Sequence, residues 1–267
     1  MAGFPICALL SPRVSLNRKE FLDMWWSNLF ADMSPASFIN FSFFPKYGQL
    51  FIQGIEYTLL LAVVSVALAV IPALLLALMR LSKNRLVKCI SGAYIAVFRS
   101  TPMLVQLSII YFGLFGVISI PRVTILGFVD ISRFVPGVVA LALNSSAYVA
   151  EIFRGGILAV DIGQTEAARS LGLNAASSMR LVVLPQAIKN VLPALANEIV
   201  TMVKESSICS MLGMAELMFA AKTTASATYI SLAPYTMAAL IYFCINYPAS
   251  KGIEAIERRM RRGDKQQ

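Results

Sequence analysis

Histidine is absent from all 267 residues, which removes a histidine general base, a Ser-His-Asp triad and the commonest metal-binding side chain. Cysteine is scarce as well: Cys7, Cys89, Cys209 and Cys244 stand far apart, without the paired spacing of a metal site or a disulfide framework. No GxxxxGK[ST] stretch occurs, so the chain carries no phosphate loop with which to hydrolyse ATP itself. No catalytic residue, metal ligand or cofactor site is therefore expected. Charge is also short, at 14% of residues against 58% apolar ones, a balance foreign to a soluble domain of this length.

What fills the chain instead is long uncharged sequence. Residues 57–79, YTLLLAVVSVALAVIPALLLALM, carry no charge. As a helix they reach about 34 Å, enough for a hydrocarbon core of about 30 Å. Ser100 to Pro121 and Phe134 to Ala150 are also uncharged, Asn190 to Val203 is interrupted only by Glu198, and a further apolar run follows Thr223. The reading is an all-α membrane protein of about five spans, near 57–79, 100–121, 134–151, 190–205 and 228–250. Pro72, Pro102, Pro193 and Pro234 then mark kinks or helix starts, not loops.

Lysine and arginine set the orientation. Arg80, Lys83, Arg85 and Lys88 follow the first span, Arg154, Arg169, Arg180 and Lys189 follow the third, and the segment after Ser250 is basic. The opposite connections hold only Arg122 and Arg133, then Lys204 and Lys222. That asymmetry places the N-terminus outside and the C-terminus, with its basic tail at 256–267, in the cytoplasm. The net charge of +9 then arises from residues flanking lipid, and no nucleic-acid partner is implied. Residues 1–46 form an uncertain extension: either an external amphipathic segment with Trp25 and Trp26 at the interface, or partly the product of an upstream start, with Met24 a later one.

A compact polar stretch lies between the third and fourth runs, at 156–185. Thr165 to Leu171 is good helix-forming sequence, Gly172 suits a left-handed stop, and Asn174 suits the cap of a second helix from Ala175. Ala167, Ala168, Ala175 and Ala176 keep its relief low, so that another protein's groove can close on it, with Glu166 and Arg169 at the rim. An ordinary connecting loop has the same polarity but does not need this order of helix, stop, cap and helix.

Glu166-Ala167-Ala168, three residues, Gly172, nine residues, Val182, one residue, then Leu184-Pro185 resembles the EAA motif of permease subunits of bacterial ATP-binding-cassette importers, with Val182 where isoleucine is commoner. FRSTPMLVQ at Phe98 to Gln106 and ALNSSAYVAEIFRGGI at Ala142 to Ile157 are similar to segments of the polar amino-acid branch (histidine/glutamine type), with Ser100 in place of a glycine. The likeness covers roughly residues 45–255 of the transmembrane domain taken as 47–255. It implies a multi-pass subunit of the bacterial cytoplasmic membrane that pairs with a second permease copy or a similar chain. The hairpin would seat on a cytoplasmic ATPase dimer that uses ATP and Mg²⁺, and an extracytoplasmic solute-binding protein would deliver the cargo. Glu166, Ala167, Ala168, Gly172, Leu184 and Pro185 would be the coupling residues. Peptides, phosphonates or metal chelates remain alternative cargoes, as does a self-contained channel without an ATPase.

Candidates for the pathway come from charge inside the bilayer, where an ion is costly unless it is used. Arg99 and Glu151 offer opposite charges for a zwitterion, Asn144 and Ser145 offer hydrogen bonds between them, and Glu198 suits a cationic side chain. Glu205, in the Lys204-Glu205-Ser206-Ser207 turn, is a further lining candidate. Snorkelling, or a pair between Arg99 and Glu151, is the plain alternative.

Overall fold

The computed structural model describes residues 40–264, and the readings made for residues 1–39 and 265–267 lie outside the described residues. Helix α1 (Phe44–Leu81) starts with proline in its first turn, where a missing N–H leaves no bond unmade. Its 38 residues reach about 57 Å, so the span expected at 57–79 is only its apolar centre. Asn84 then caps α2 (Arg85–Ser100), its side-chain oxygen accepting from Leu86 N at 2.9 Å.

The run expected to span at 100–121 instead starts at a sharp bend between two helices. Thr101 is extended (φ −110°, ψ 145°), as the residue before a proline tends to be, and α2 meets the following helix at 106°. That helix, α3 (Met103–Ser108), continues through a π segment (Ile109–Leu114) and one more turn to Val117. A short antiparallel hairpin follows, β1 (Thr124–Ile125) and β2 (Val129–Asp130), turning on Gly127 at φ 78°. Asp130 caps α4 (Ile131–Leu158), accepting from Ser132 N at 3.0 Å.

The chain then makes α5 (Ile162–Ser170) and the short α6 (Ala175–Ser178), which runs through a π turn (Met179–Val183) into α7 (Leu184–Glu205). A 3₁₀ segment (Ser206–Leu212) leads to α8 (Leu217–Thr228), an element the apolar pattern gave no sign of. Tyr229, left-handed at φ 58°, ends α8, so the last helix, α9 (Ala233–Asp264), begins five residues later than the span expected from 228. It also runs on into the basic tail, braced there by Lys251–Glu254 at 3.0 Å and Arg258–Glu254 at 3.7 Å.

By length and composition α1 and α4 each suffice to cross a membrane, and the bent α2–α3 pair is long and apolar enough for a third crossing if its two halves act as one span; α7 and α9 are long but more polar. α1 and α4 pack against each other at the centre through small residues, with Ala62, Ala69 and Ala73 of the first and Ala140, Ala147 and Ala150 of the second all buried. Small side chains let helices approach closely where lipid supplies no hydrophobic drive. The other side of α1 exposes Leu68, Ile71, Leu75 and Leu78, a surface suited to lipid tails.

One joint ties α1, α8 and α9 together. Glu216 is buried and accepts from Met218 N (2.8 Å) and Phe219 N (2.7 Å) at the start of α8 and from the Tyr242 hydroxyl of α9 (3.0 Å). Leu217 N donates to Thr58 Oγ1 at 3.1 Å, and a Cβ on Gly54 would stand 2.9 Å from Leu217 Cα. Gly54→Ala should therefore force backbones apart, costing about 1–3 kcal/mol and lowering the thermal midpoint of the purified protein in detergent. Gly252→Ala, where the added atom meets nothing within 4 Å, is the matched control and should lose no stability.

Candidate functional site

Two groups of polar residues stand out against the apolar helices. The first lies at the α2–α3 break. Phe98 O would ordinarily accept from the N–H of residue 102, and Pro102 has none. The Gln106 amide takes its place, donating from Nε2 to Phe98 O (2.8 Å) and lying within reach of Thr101 O (3.0 Å) and Thr101 Oγ1 (2.7 Å). Thr101 Oγ1 in turn donates to Val97 O at 2.8 Å. Asn144 of α4 closes the group, donating to Gln106 Oε1 at 2.8 Å. Beside it the Tyr94 hydroxyl donates to Leu143 O at 2.9 Å.

The expected set of Arg99, Asn144, Ser145 and Glu151 is divided: Arg99 lies close enough for its charge to act on Glu151, while Asn144 and Ser145 turn to other partners. Asn144 serves Gln106, whereas Ser145 donates to Glu198 Oε1 at 2.8 Å, joining α4 to α7 where both residues are buried. Glu151 pairs with Arg154 at 2.7 Å and lies 3.9 Å from Arg80, while Arg99 is exposed and sits 5.3 Å from the Tyr148 ring centroid. Glu205 ends α7 and is half-buried. Sequence reasoning missed Gln106, Thr101 and Arg80. A usable signal for Gln106 was present, since it follows Pro102 by one helical turn and a proline's lost donor needs a substitute.

The second group is the hairpin at 156–185. Asp161 caps α5, accepting from Gly163 N at 2.7 Å, and Asn174 caps α6, accepting from Ser177 N at 2.8 Å. Between them Gly172 takes φ 88°, and Leu173 N reaches back to Ala168 O at 3.2 Å, which closes the end of α5. Of the six expected coupling residues, Ala168 is buried against the hairpin itself, Glu166, Ala167 and Gly172 are exposed along it, and Leu184 and Pro185 open α7. Ile162 and Leu171 stand exposed on the same element, at 74% and 85%. The hairpin's two legs are locked at their base: Gly156 packs on Val191 so closely that a Cβ would overlap it, and Asn190 Nδ2 donates to Gly156 O at 3.4 Å.

Among the described residues no grouping of His, Cys, Asp and Glu could hold a metal ion. A cavity of about 710 Å³ opens between the end of α4, the start of α7 and the end of α9, reached by Glu151, Asn190, Asn197 and Glu254.

Long apolar helices, a bent helix pair and a capped, exposed hairpin define an integral membrane protein. The chain belongs to the binding-protein-dependent transport system inner membrane component family, whose profile matches residues 65–262. It is 41% identical over 213 residues to the arginine transport system permease protein ArtQ of Bacillus subtilis, covering 80% of this chain and 93% of that one. It is 39% identical over 218 residues to a putative glutamine transport system permease protein of Rickettsia typhi, covering 82% and 95%. Among solved structures it is similar to an amino acid ABC transporter crystallised with histidines, at 47% identity and a TM-score of 0.74 over 82% of this chain and 98% of that one. The MetNI methionine ABC transporter, at 17% identity and a TM-score of 0.60 over 78% of this chain and 96% of that one, shares the fold.

The Gln106 brace has a measurable consequence. Gln106→Ala leaves the part-buried Phe98 carbonyl with only the long contact from Asn144 Nδ2 at 3.4 Å and should cost about 1–3 kcal/mol. Gln106→Glu, which sets a carboxylate against the same oxygen, should cost more. Thermal unfolding in detergent checks both, and equal midpoints for Gln106→Ala and wild type would refute the brace.

Proposed function

We propose that the chain is the pathway-forming permease subunit of an ATP-driven importer of polar amino acids in the bacterial cytoplasmic membrane. The observation that carries this reading is the hairpin: two capped helices meeting at a left-handed glycine, exposed and locked at the base, make a rigid part shaped to be gripped by another protein. A cytoplasmic ATPase dimer, supplying ATP and Mg²⁺ chemistry, is the partner that grips it. A second permease copy or a similar chain completes the pathway, and a solute-binding protein delivers the cargo from outside. Five segments serve as spans: α1, the α2–α3 pair, α4, α7 and α9. The N-terminus then lies outside and the hairpin and C-terminus in the cytoplasm, in keeping with the basic residues at 80–88, around the hairpin and in the tail. ATP-driven approach of paired hairpins would swing the spans between outward and inward openings.

Amino acids are favoured as cargo by the arginine and glutamine permeases to which the chain is similar. Glu198, buried between α4 and α7 with a neutral hydroxyl on one oxygen, is the residue suited to a cationic side chain, and Asn144, Ser145, Arg99 and Glu205 remain lesser pathway candidates.

Purification of the tagged chain from native membranes, with mass spectrometry of its partners, tests the reading. An ATPase subunit should co-purify at about one per permease. Glu166→Lys and Gly172→Asp should both lose that subunit and all uptake of labelled amino acid while inserting normally, the second because no L side chain sits easily at φ 88°. Full uptake by both variants, or a wild-type chain without an ATPase, would overturn it.

A further inference from the structure

Glu151 lies two turns before α4 gives way to the hairpin, and its two oxygens are treated differently. Arg154 claims Oε2 with both Nε (2.9 Å) and Nη2 (2.7 Å). Oε1 faces Arg80 Nε at 3.9 Å, a Coulombic contact too long for a hydrogen bond, and that Nε is buried with no hydrogen-bond partner at all. A buried donor left unmade beside a carboxylate is costly, and a shift of about 1 Å would satisfy it.

The two arginines sit on different helices, α1 and α4. Arg80 is on the last turn of α1, and its Nη1 lies over Gly92 of α2, where a Cβ would stand 3.0 Å from it. Ser91 Oγ of α2 donates to Leu76 O of α1 at 2.8 Å, so the end of α1 and the first half of the broken span are tied together. Arg154 lies one turn before the end of α4, which Gly156 and Asn190 bind to the start of α7, so it moves with both legs of the hairpin.

We infer that Glu151 is a positioning residue that links the hairpin to the broken span, with Arg154 as its fixed arm and Arg80 as the arm that tightens when the hairpin is displaced. Glu151 acts through Arg80 on α1 and α2 and does not touch the cargo. The inference rests on the importer reading, because the displacement is supplied by the ATPase that the hairpin docks.

The test is the number of amino acid molecules moved per ATP hydrolysed. The tagged permease–ATPase complex is reconstituted in proteoliposomes with its solute-binding protein, and labelled L-arginine and L-glutamine are the probes. Arg80→Gln, which leaves the Glu151–Arg154 pair whole, and Glu151→Gln should each lower this ratio at least about threefold while ATP hydrolysis continues, and the double variant should fall no further than either single one. Gly92→Val, which displaces the Arg80 guanidinium without removing a charge, should lower it in the same direction. An unchanged ratio in Arg80→Gln, additive losses in the double variant, or a loss of complex yield with a normal ratio would each overturn the link. A wild-type preparation that holds no ATPase would overturn the importer reading instead.

Discussion

Lipid offers the backbone no hydrogen-bonding partner, so a helix interrupted inside it must find substitutes from its own chain. The α2–α3 break obeys that constraint residue by residue. Pro102 removes the donor owed to Phe98, Thr101 turns away from the helix, and the carbonyls so released are collected by the Gln106 amide and the Thr101 hydroxyl. Gln106 is then held by Asn144, which fixes the break against α4. A bend of 106° is thereby made a permanent feature of the wall between α2 and α4. Irregular backbone in an apolar setting is tolerated where protein covers it, and here α4 covers the break through Asn144.

The same economy governs the ionic groups. Glu151 pairs with Arg154 of its own helix and lies 3.9 Å from Arg80 of α1, so its ionic contacts join two helices. Glu198 lies deeper, on the contact between α4 and α7, and the hydrogen bond it accepts comes from a serine. One carboxylate is thus spent on holding helices together and the other is left with its charge unanswered by a cation in the described contacts. Arg99 and Glu151 stand out in the sequence because both are charged and near span ends, and in the fold Glu151 takes Arg154 as its hydrogen-bonded partner.

The uncharged runs located α1, α4 and the apolar part of α7 because span length is dictated by bilayer thickness, and the caps of the hairpin were legible because Asn174 and Gly172 have strong local preferences. The bend, α8 and the late start of α9 were not legible. Each depends on a contact distant in sequence or on a conformation the residue does not favour: Gln106 with Asn144, Glu216 with Tyr242, and the left-handed Tyr229. Hydropathy counts residues along a run and is blind to the angle between its two halves. The candidate site shows the same division, since residue types were identified from the sequence while their pairing required the packing of α4 against α1 and α7.

That packing also fixes how the hairpin is joined to the long helices. α5 and α6 have little core of their own, so they cannot hold a fixed attitude by themselves; the lock of Gly156 on Val191 at the base supplies it. Close contact through a glycine transmits displacement with little loss, because no flexible side chain lies between the two helices. A force on the hairpin is therefore passed to α4 and α7 together, and α4 carries on its inner face the groups that hold the break in α2–α3, with Asn144 on one turn and Glu151 two turns on. Along α4 the brace at Asn144, the ionic pair at Glu151 and the hairpin follow one another, so this helix touches both the bend and the hairpin's base.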